Sequence, residues 1–485
     1  MKVLCLDIGA SSGRFIVVEF INNNFIFDET YRFYNGMEYD KDKHLIWNFS
    51  SLWNEIKKGL QISLKKYSDI KSIGIDTWAV DYGRLDKNNN LISEPYAYRD
   101  ERCLKSLNKF LSNNSYYDIY KYSGIQKLPF NTIFQLDDDI ENNRELNSIL
   151  LIPDLIAYYL TGEKYTELTN LSTTALYNPV SKEIDANILK LMNINKNIFS
   201  KLIYPSKKIG NLKEELVKEL DIYNIEVISV GSHDSASAIA SIPLDNKSCY
   251  LSSGTRSLLG VELTNPLINE EAYKNNFTNE IGLEHSVRFL KNIMGLFIVQ
   301  EYRKDLIKEG NNISFASMLE EAKKVNDNNV YIDVDDELFS TPFDMKNKII
   351  KYLKNTNQKY DLTVGETTRM IYESLAFKYK VQFEKLKEIT KLDVKKLYIV
   401  GGGANIVLLN QLTADILNVD VIEGEKEGTV VGNSLAQFIY FKEFKDLKDA
   451  RNKLKESRNY KVYKPNNNDY VNQKYKDYLN TIERK

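Results

Sequence analysis

The first residues of the chain alternate between short apolar runs and polar turns. Residues 3–6 form an apolar run, residues 9–13 are small or polar, and residues 15–20 form a second, largely apolar run. Apolar runs of this length, bounded by turn residues, are typical of buried strands. The pattern predicts a β-hairpin with a polar loop.

A helix and a third strand are predicted to follow the hairpin. Four apolar residues recur at every fourth position, the spacing of one face of an α-helix: Leu52, Ile56, Leu60 and Leu64. Ser50 or Ser51 is placed to cap the start of this helix, because serine favours the N-cap position. Residues 73–75 then predict a strand that ends at Asp76.

The same succession begins again near residue 249. A second hairpin is predicted around Ser-Ser-Gly-Thr at residues 252–255, which echoes Ser-Ser-Gly at residues 11–13. Later, a long helical pattern over residues 367–389 precedes a strand, three consecutive glycines at residues 401–403 and another helix. Strands that alternate with helices indicate α/β architecture in both halves.

Composition within the chain also suggests where its domains meet. Residues 242–247 contain turn-forming residues without a hydrophobic pattern. We therefore expect a first domain over residues 1–243 and a second over residues 247–440. Residues 441–485 are rich in Lys, Asn and Tyr and lack glycine, which predicts peripheral helices with a solvated face.

The overall composition favours chemistry on small molecules. Hydrophobic residues make up 43% of the 485 residues and charged residues 27%, the balance of a globular protein with roughly two to four domains. Lys and Arg number 65 against 67 Asp and Glu, which gives no positive field for nucleic acid or an anionic membrane. The apolar run before Asp7 is shorter than that of a signal peptide, and no stretch reaches the roughly 18 apolar residues of a membrane helix. We expect a cytoplasmic protein without nucleic-acid or membrane partners.

Cysteine or histidine chemistry is not indicated. Cys5, Cys103 and Cys249 lie far apart and lack CxxC spacing, which favours reduced, packed thiols. The three histidines lack HExxH spacing. Any metal is therefore expected on carboxylates.

The loop of the first hairpin is the first candidate site. It reads Asp-Ile-Gly-Ala-Ser-Ser-Gly-Arg over residues 7–14, and its small residues let backbone N–H groups approach a phosphate closely. Asp7 is suited to hold Mg²⁺, and Arg14 to stabilise charge on a phosphoryl group in transfer. An ordinary tight turn is the plain alternative. The matching loop at residues 252–255 favours a pair of phosphate-binding loops.

Two further loops are candidates for nucleotide and acceptor chemistry. Residues 401–405, Gly-Gly-Gly-Ala-Asn, lie between a predicted strand and helix, where a nucleotide can cross exposed backbone, although a turn without ligand explains them equally. The P-loop pattern GxxxxGK[ST] does not occur. Asp234 follows an apolar strand and precedes a run of small residues, where it can act as base for a hydroxyl that attacks phosphate. The alternatives are a helix N-cap for Asp234 and a structural role for His233.

Together these segments resemble the FGGY family of carbohydrate kinases over about residues 1–440. Further segments carry the likeness: residues 74–78 with Asp81, 97–100, 124–126, 128–132, 152–154 with 160–162, 278–280, 291–296, Gln300 and 409–412. Leu-Pro-Phe-Asn-Thr at residues 128–132 and Lys-Asn-Ile-Met-Gly at residues 291–295 are the most specific. Within the family they resemble the members that act on L-rhamnulose.

The resemblance implies an α/β fold of two ribonuclease-H-like domains, of the actin-like ATPase type, with ATP and sugar in the cleft between them. The implied reaction is ATP-dependent phosphorylation of L-rhamnulose to L-rhamnulose 1-phosphate with Mg²⁺, with Asp234 as general base. The implied ATP contacts are Ala10, Ser11, Ser12, Gly13, Arg14, Thr255, Gln300 and Gly402. The implied sugar contacts are Ala79, His233, Ser235 and Asn292. The partners are then a ketose and ATP, and the assembly is a monomer or homodimer.

Three positions depart from the usual family pattern. Ala79 stands in place of glycine, Ser235 in place of threonine, and Arg256 in place of a typical tryptophan. A single methyl or hydroxyl group shifts discrimination between substrates by about 1–3 kcal/mol, so another FGGY kinase acting on fuculose, xylulose or a related polyol is an alternative. A non-catalytic actin-like nucleotide switch is a second alternative, against which Asp234 and Asn292 argue because a switch needs no sugar-activating base.

Overall fold

The computed structural model describes residues 1–325, 329–466 and 470–483, and the chain divides into two compact units. The first unit consists of Met1–Pro243, Glu262–Phe289 and Glu427–Asn459. The second consists of Leu244–Val261, Leu290–Lys426 and Tyr460–Lys485. The division into residues 1–243, 247–440 and 441–485 stays a prediction, and residues 467–469 and 484–485 of its last part lie outside the described residues.

The strands, in chain order, have the following bounds: β1 Lys2–Ile8, β2 Ser12–Ile21, β3 Asn24–Tyr34, β4 Met37–Tyr39, β5 Leu45–Trp47, β6 Ile70–Thr77, β7 Tyr82–Leu85, β8 Ser148–Leu151, β9 Tyr165–Glu167, β10 Tyr177–Asn178, β11 Glu183–Ile184, β12 Lys201–Ile203, β13 Lys207–Asn211, β14 Glu226–Ser229, β15 Ser248–Ser253, β16 Arg256–Leu263, β17 Thr278–Ile281, β18 Val287–Met294, β19 Lys396–Val400, β20 Asp420–Glu423 and β21 Val462–Tyr463.

The α-helices have the following bounds: α1 Phe49–Lys66, α2 Arg102–Asn113, α3 Tyr117–Ser123, α4 Thr132–Glu141, α5 Ile152–Thr161, α6 Leu168–Leu171, α7 Ala186–Leu191, α8 Glu214–Leu220, α9 Asp234–Ala240, α10 Glu270–Lys274, α11 Phe297–Lys308, α12 Phe315–Lys323, α13 Met345–Asn355, α14 Val364–Thr390, α15 Val407–Leu417, α16 Gly428–Tyr440, α17 Leu447–Ser457 and α18 Tyr470–Ile482.

The first unit contains a six-stranded sheet of order β13-β14-β6-β1-β2-β3. β1 and β2 form the predicted antiparallel hairpin, and β1, β6 and β14 run parallel to one another. The carboxyl ends of these three strands therefore meet at one edge of the sheet. In this register Asp7 lies beside Asp76, and the Thr77 amide donates to the Ser232 carbonyl at 2.9 Å. Asp7 and Asp76 therefore lie at this edge of the sheet.

The second sheet repeats this topology. Its order is β17-β18-β16-β15-β19-β20-β21. β15 is antiparallel to β16 and parallel to β19, β20 is parallel to β19, and β21 is antiparallel to β20. The same orientations relate β1, β2, β6, β14 and β13 in the first sheet. The internal repeat predicted from the two Ser-Ser-Gly loops is confirmed at the level of topology.

Helices cover both faces of β1. The predicted face of α1 is buried, with its four apolar residues 0–4% exposed, and it shares a cluster with Leu4 and Leu6. Val3 and Cys5 point the other way, into a cluster with Val430 and Leu435 of α16. A strand buried on both faces explains why β1 reads as a continuous apolar run.

The predicted cap of α1 is wrong. Asn48 occupies the N-cap position, and its side chain accepts the Ser51 amide proton at 2.9 Å. The Ser50 hydroxyl instead donates to Glu94 at 2.6 Å. Asparagine and serine cap helices about equally well, so propensity alone does not separate Asn48 from its neighbours.

Two further predictions from the sequence concern membrane-spanning helices and the state of the cysteines. Within residues 1–325, 329–466 and 470–483, no helix is both long enough and apolar enough to cross a membrane. The three cysteines are free and buried, as predicted.

Candidate active site

The first hairpin loop is held tightly at the acidic edge of the first sheet. Its turn closes through a 2.9 Å hydrogen bond from the Gly9 amide to the Ser12 carbonyl, and the Asn35 side chain donates to the Gly9 carbonyl at 2.8 Å. Gly13 packs so closely on Phe33 that a Cβ there would lie 2.0 Å from the ring. The loop backbone therefore has a fixed shape, and Ser11 at its tip is exposed.

Arg14 lies between two carboxylates. It faces Asp7 across the hairpin, and its Nη2 donates to Asp7 Oδ2 at 2.5 Å. Its Nη1 donates to Glu427 Oε2 at 2.8 Å. Glu427 is 413 residues away in sequence, and no sequence signal pointed to it. The guanidinium is thus held beside the loop by two carboxylates.

Asp76 is a further acidic residue at this edge, with no role assigned by sequence reasoning. It is fully buried, and its Oδ2 accepts the Asn433 side-chain amide at 2.6 Å. Its Oδ1 is buried, and no described residue forms a hydrogen bond with it. Burial and the neighbouring charge of Asp7 raise the pKa of Asp76 well above its ordinary value. A buried carboxylate oxygen without a hydrogen-bond partner costs free energy. Such groups are often explained by a functional role or a bound ion.

The loop that carries Asp234 is anchored by Glu167. The Glu167 carboxylate accepts the Ser232 hydroxyl at 2.5 Å and the Thr169 hydroxyl at 2.6 Å, and the His233 amide donates to the Thr169 hydroxyl at 3.3 Å. These bonds join the end of β9 to the segment between β14 and α9. They fix the backbone from which Asp234 projects.

Asp234 is the first residue of α9 and does not cap it. The N-cap residue is His233, which makes no side-chain capping bond. Asp234 Oδ1 accepts the Ser235 amide at 2.5 Å and the Ser235 hydroxyl at 3.0 Å. The helix-cap alternative for Asp234 is therefore wrong. The side chain is 35% exposed, which is enough for a substrate to reach it.

The surroundings of Asp234 shift its acidity. Burial raises its pKa to about 6, and the like charge of Asp7 acts in the same direction, whereas Ser235 and Arg288 oppose the rise. A carboxylate with a raised pKa in a partly open site is a candidate general base.

The loop that carries Ala79 is strained and strongly held. Val80 has φ of 71°, a conformation that β-branched residues adopt at a cost of about 1–3 kcal/mol. Its carbonyl accepts the Thr132 hydroxyl at 2.7 Å and the Gln135 amide at 3.2 Å. The Leu-Pro-Phe-Asn-Thr segment therefore braces this loop through its last residue.

Asp81 provides a second anchor for the same loop. Its carboxylate accepts hydrogen bonds from four donors: the indoles of Trp47 and Trp78, the Gln135 side-chain amide and the Tyr98 backbone amide. Burial raises the pKa of Asp81 to about 6 despite these bonds. Ala79 is thus placed on a rigid support, as a contact with a small ligand requires.

The second unit contains the other four predicted site residues. The Thr255 hydroxyl donates to Gln300 Oε1 at 3.3 Å, which brings two of the implied ATP contacts together. Gly295 lies against the same loop, where a Cβ would be 2.5 Å from the Gly254 carbonyl oxygen. Thr255 therefore packs at the start of α11, which carries Gln300.

Gly402 is open on one side, and Asn292 offers a side-chain hydrogen-bond acceptor. A Cβ at Gly402 would meet no atom within 4 Å, whereas a Cβ at Gly403 would lie 1.9 Å from the Ser253 hydroxyl. The glycine turn is thus packed on one side and open on the other. Within the part of the chain that the structure describes, Asn292 Oδ1, on β18, is buried without a hydrogen-bond partner. It is an acceptor to which a ligand hydroxyl can donate.

The predicted site residues fall into two groups. Residues 7, 10–14, 79 and 233–235 belong to the first unit, and Thr255, Asn292, Gln300 and Gly402 to the second. Arg288 Nη2 lies 3.2 Å from His233 Nδ1 and donates to Glu280. Sequence reasoning missed several residues that surround the first group: Asp76, Glu167, Glu280, Arg288 and Glu427. Asp76 and Glu280 stand in segments that carried the family resemblance, so their position in a motif was an available signal.

Comparisons with known proteins identify the class. The model of the FGGY family of carbohydrate kinases, N-terminal domain, matches residues 2–240, and the model of its C-terminal domain matches residues 249–441. The chain belongs to the FGGY family of carbohydrate kinases. The resemblance found in the sequence is confirmed.

Within that family, the chain is similar to several curated rhamnulokinases. The chain is 38% identical to the rhamnulokinase of Bacillus subtilis (strain 168) over 467 residues, 96% of each chain. It is 39% identical to the rhamnulokinase of Ligilactobacillus salivarius, with 98% of each chain covered. It is 40% identical to the rhamnulokinase of Enterococcus faecalis, with 96% of this chain and 94% of that one covered.

Solved structures support the fold. Plasmodium falciparum glycerol kinase with ADP superposes with a TM-score of 0.82 at 17% identity, covering all of this chain and 98% of that one. Ligand-bound xylulose kinase from Lactobacillus acidophilus superposes with a TM-score of 0.79 at 17% identity, covering 99% and 96%. The predicted fold class, an α/β fold of the actin-like ATPase type with two sheet-containing domains, is confirmed.

Proposed function

We propose that this chain transfers the γ-phosphoryl group of ATP to the C1 hydroxyl of L-rhamnulose and forms L-rhamnulose 1-phosphate. The observation that carries the proposal is Asp234, a partly exposed carboxylate at the start of α9 with a pKa of about 6. Three relatives of 38–40% identity named rhamnulokinase support the choice of sugar.

Asp234 is proposed to accept the proton of the attacking hydroxyl. Both bonds from Ser235 go to Oδ1, so Oδ2 is the oxygen suited to take the proton. Phosphoryl transfer depends mainly on such positioning and on stabilising charge. Ala79, His233, Ser235 and Asn292 are the proposed sugar contacts, and the unpartnered Asn292 Oδ1 supports an acceptor role toward a sugar hydroxyl.

ATP is proposed to bind the two hairpin loops and the glycine turn. Residues 10–14, Thr255, Gln300 and Gly402 are the proposed contacts. The open space beside Gly402 suits a nucleotide that passes over the backbone. Arg14 is proposed to turn from Asp7 toward the transferring phosphoryl group, because an arginine is suited to that charge.

Mg²⁺ fits the residues around Asp7. Asp7 and Asp76 are paired in register on neighbouring strands, and Asp76 Oδ1 forms no hydrogen bond within the described chain. Oxygen donors of the kind that Mg²⁺ prefers are therefore present. Among the described residues, no three Asp, Glu, His or Cys side chains form a metal site by themselves. Asp7 is therefore proposed to hold Mg²⁺ in the manner common for nucleotide sites, with phosphates and water as the other ligands. When bound, the ion neutralises charge on the phosphates.

A ketose panel tests the proposed function. ADP release is measured with L-rhamnulose, L-fuculose, D-xylulose and no sugar. We expect kcat/KM for L-rhamnulose to exceed the others by about 10-fold or more, the discrimination that one or two pocket contacts provide. A higher value for fuculose or xylulose would favour the related-kinase alternative, and ATP hydrolysis independent of sugar would favour the nucleotide switch.

The pH dependence of kcat/KM is expected to reflect the ionisation of the Asp234 carboxyl group. The base must be ionised, and its pKa is raised to about 6, so kcat/KM is expected to fall about tenfold per pH unit below pH 6 and to be flat above it. The second ionisation of a phosphate monoester also lies near pH 6, so ATP can give a limb at a similar pH. The Asp234→Glu variant separates the two, because a limb set by ATP stays in place when the base is changed. An identical limb in both proteins, or a wild-type limb near pH 4, would contradict the assignment.

A further inference from the structure

A buried arginine lies directly behind the residue that precedes Asp234. Arg288, on β18, is fully buried, and its Nη2 donates to Glu280 Oε2 at 3.0 Å. The same nitrogen lies 3.2 Å from His233 Nδ1. His233 Nε2 in turn lies 3.5 Å from Asp234 Oδ1. The four side chains thus form a row, Glu280–Arg288–His233–Asp234, within the first unit.

The row determines which nitrogen of His233 carries the proton. A guanidinium only donates hydrogen bonds, so the Nδ1 that faces Arg288 has to be the nitrogen with the lone pair. The opposite tautomer would place Nδ1–H against the N–H groups of Arg288, 3.2 Å away, with Glu280 at 3.6 Å as its acceptor. Glu280 already accepts from Arg288. Burial and the charge of Arg288 lower the pKa of His233 well below its ordinary value, so the ring is neutral with its proton on Nε2.

The hydrogen bonds of Arg288 are not those expected of a purely structural ion pair. Its Nε donates to the Ile281 carbonyl at 3.4 Å, but among residues 1–325, 329–466 and 470–483 nothing accepts a hydrogen bond from its buried Nη1. A fully buried arginine with an unsatisfied donor destabilises a fold more than a well-packed apolar residue would. Such a cost is expected where the charge has a function.

We propose that Arg288 and Glu280 are positioning residues that fix His233 in the Nε2–H tautomer, with this N–H on the edge of the ring that lies 3.5 Å from Asp234 Oδ1. The proposal rests on the proposed role of Asp234 as base. With Ser235 and His233 both facing Oδ1, Oδ2 is the oxygen that receives the sugar proton. Glu280 holds the guanidinium in place, so loss of either residue releases the imidazole.

Histidine NMR tests the tautomer without any need for activity. The chain has three histidines, His44, His233 and His285, so a ¹⁵N-histidine sample gives a simple long-range spectrum, and a His233→Gln sample assigns the signal. Wild type is expected to show His233 with its proton on Nε2. Arg288→Met is expected to shift the signal to the Nδ1–H form or to a mixture, and Arg288→Lys, which keeps a donor, is expected to restore the Nε2–H form at least in part.

Kinetics give the second measurement. Arg288→Met is expected to lower kcat by about 10–100-fold, less than the roughly 10²–10⁴-fold contribution of a general base itself, with KM for ATP changed less than about threefold. Arg144→Met is the control, because Arg144 pairs with Asp138 and Asp139 of the same unit and touches none of the proposed site residues. This control is expected to keep the wild-type kcat.

These outcomes test the proposal about His233 separately from the proposed kinase function. A wild-type His233 with its proton on Nδ1 would overturn the proposal even if Arg288→Met failed to fold. An unchanged tautomer in a folded Arg288→Met protein would also overturn it, as would an equal loss of kcat in Arg144→Met. If the tautomer behaves as expected but no ketose is phosphorylated, the proposed function is wrong and the arrangement of His233 stands.

Discussion

Asp234→Asn is expected to lower kcat by about 10³-fold while KM for the sugar changes little. An amide has nearly the shape of the carboxylate but cannot accept the proton, and general-base catalysis contributes about 10²–10⁴-fold. Ser235 can still hold the side chain through Oδ1, so the geometry of the pocket is retained. The measurement is steady-state kinetics with L-rhamnulose and ATP.

The same variant is expected to be at least as stable as wild type. Because the folded-state pKa of Asp234 is raised from 3.8 to about 6, the ionised carboxylate destabilises the folded state above pH 6, and this cost disappears as pH falls and the group binds its proton. The advantage of Asp234→Asn in Tm is therefore expected at pH 7.5 and should shrink toward pH 5.

Asp118→Asn is the matched control for Asp234→Asn. Asp118 is also an aspartate in the first turn of a helix of the first unit, where it pairs with Lys121 at 2.9 Å. It is expected to keep the wild-type kcat. Near-normal kcat in Asp234→Asn would show that Asp234 is not the base, and a large fall in Tm would show that the loss came from misfolding.

Gly432→Ala is expected to destabilise the protein and to reduce activity together. Gly432 of α16 packs against α9, and a Cβ there would lie 1.7 Å from the Ser237 carbonyl oxygen and 2.5 Å from its carbon. Both atoms belong to the backbone, so the helices must separate by about 1 Å or more, at a cost of about 1–3 kcal/mol or higher. Since α9 begins at Asp234, a shift of about 1 Å is expected to lower kcat by about 10²-fold. Urea unfolding and kinetics measure the two effects.

Gly428→Ala separates this steric effect from the general effect of replacing a helical glycine. Gly428 lies one turn earlier in α16 and faces the same helix, but its Cβ would be 3.1 Å from the Ser241 hydroxyl, a side-chain atom that can move. This variant is expected to be close to wild type in stability and kcat. Equal behaviour of the two variants would contradict the close-packing account.

Local pattern predicted much of the fold. The hairpins, α1, α14 and the glycine turn lie where apolar spacing and turn residues placed them, because burial on one face or on both imposes a period on the sequence. The Ser-Ser-Gly repeat predicted the repeated topology because each hairpin opens an equivalent sheet. These are features that neighbouring residues determine.

Features of the site that depend on contacts between residues far apart in the sequence could not be predicted from local pattern. Glu427 reaches Arg14 from 413 residues away, and Asn433 reaches Asp76 from 357 residues away. The tautomer of His233 depends on Arg288, 55 residues later. The choice between helix cap and free carboxylate for Asp234 depended on backbone geometry at His233. The roles of the site residues stay predictions until they are tested.

Identification of the product tests the central claim most directly. The protein is incubated with ATP, Mg²⁺ and L-rhamnulose, and the mixture is followed by ³¹P NMR with proton coupling. We expect one sugar phosphate ester for each ADP formed, with its phosphorus coupled to the two methylene protons of C1, and formation of this ester about 10³-fold more slowly with Asp234→Asn. Release of ADP with inorganic phosphate alone, or an ester coupled to a single proton at another carbon, would contradict the account.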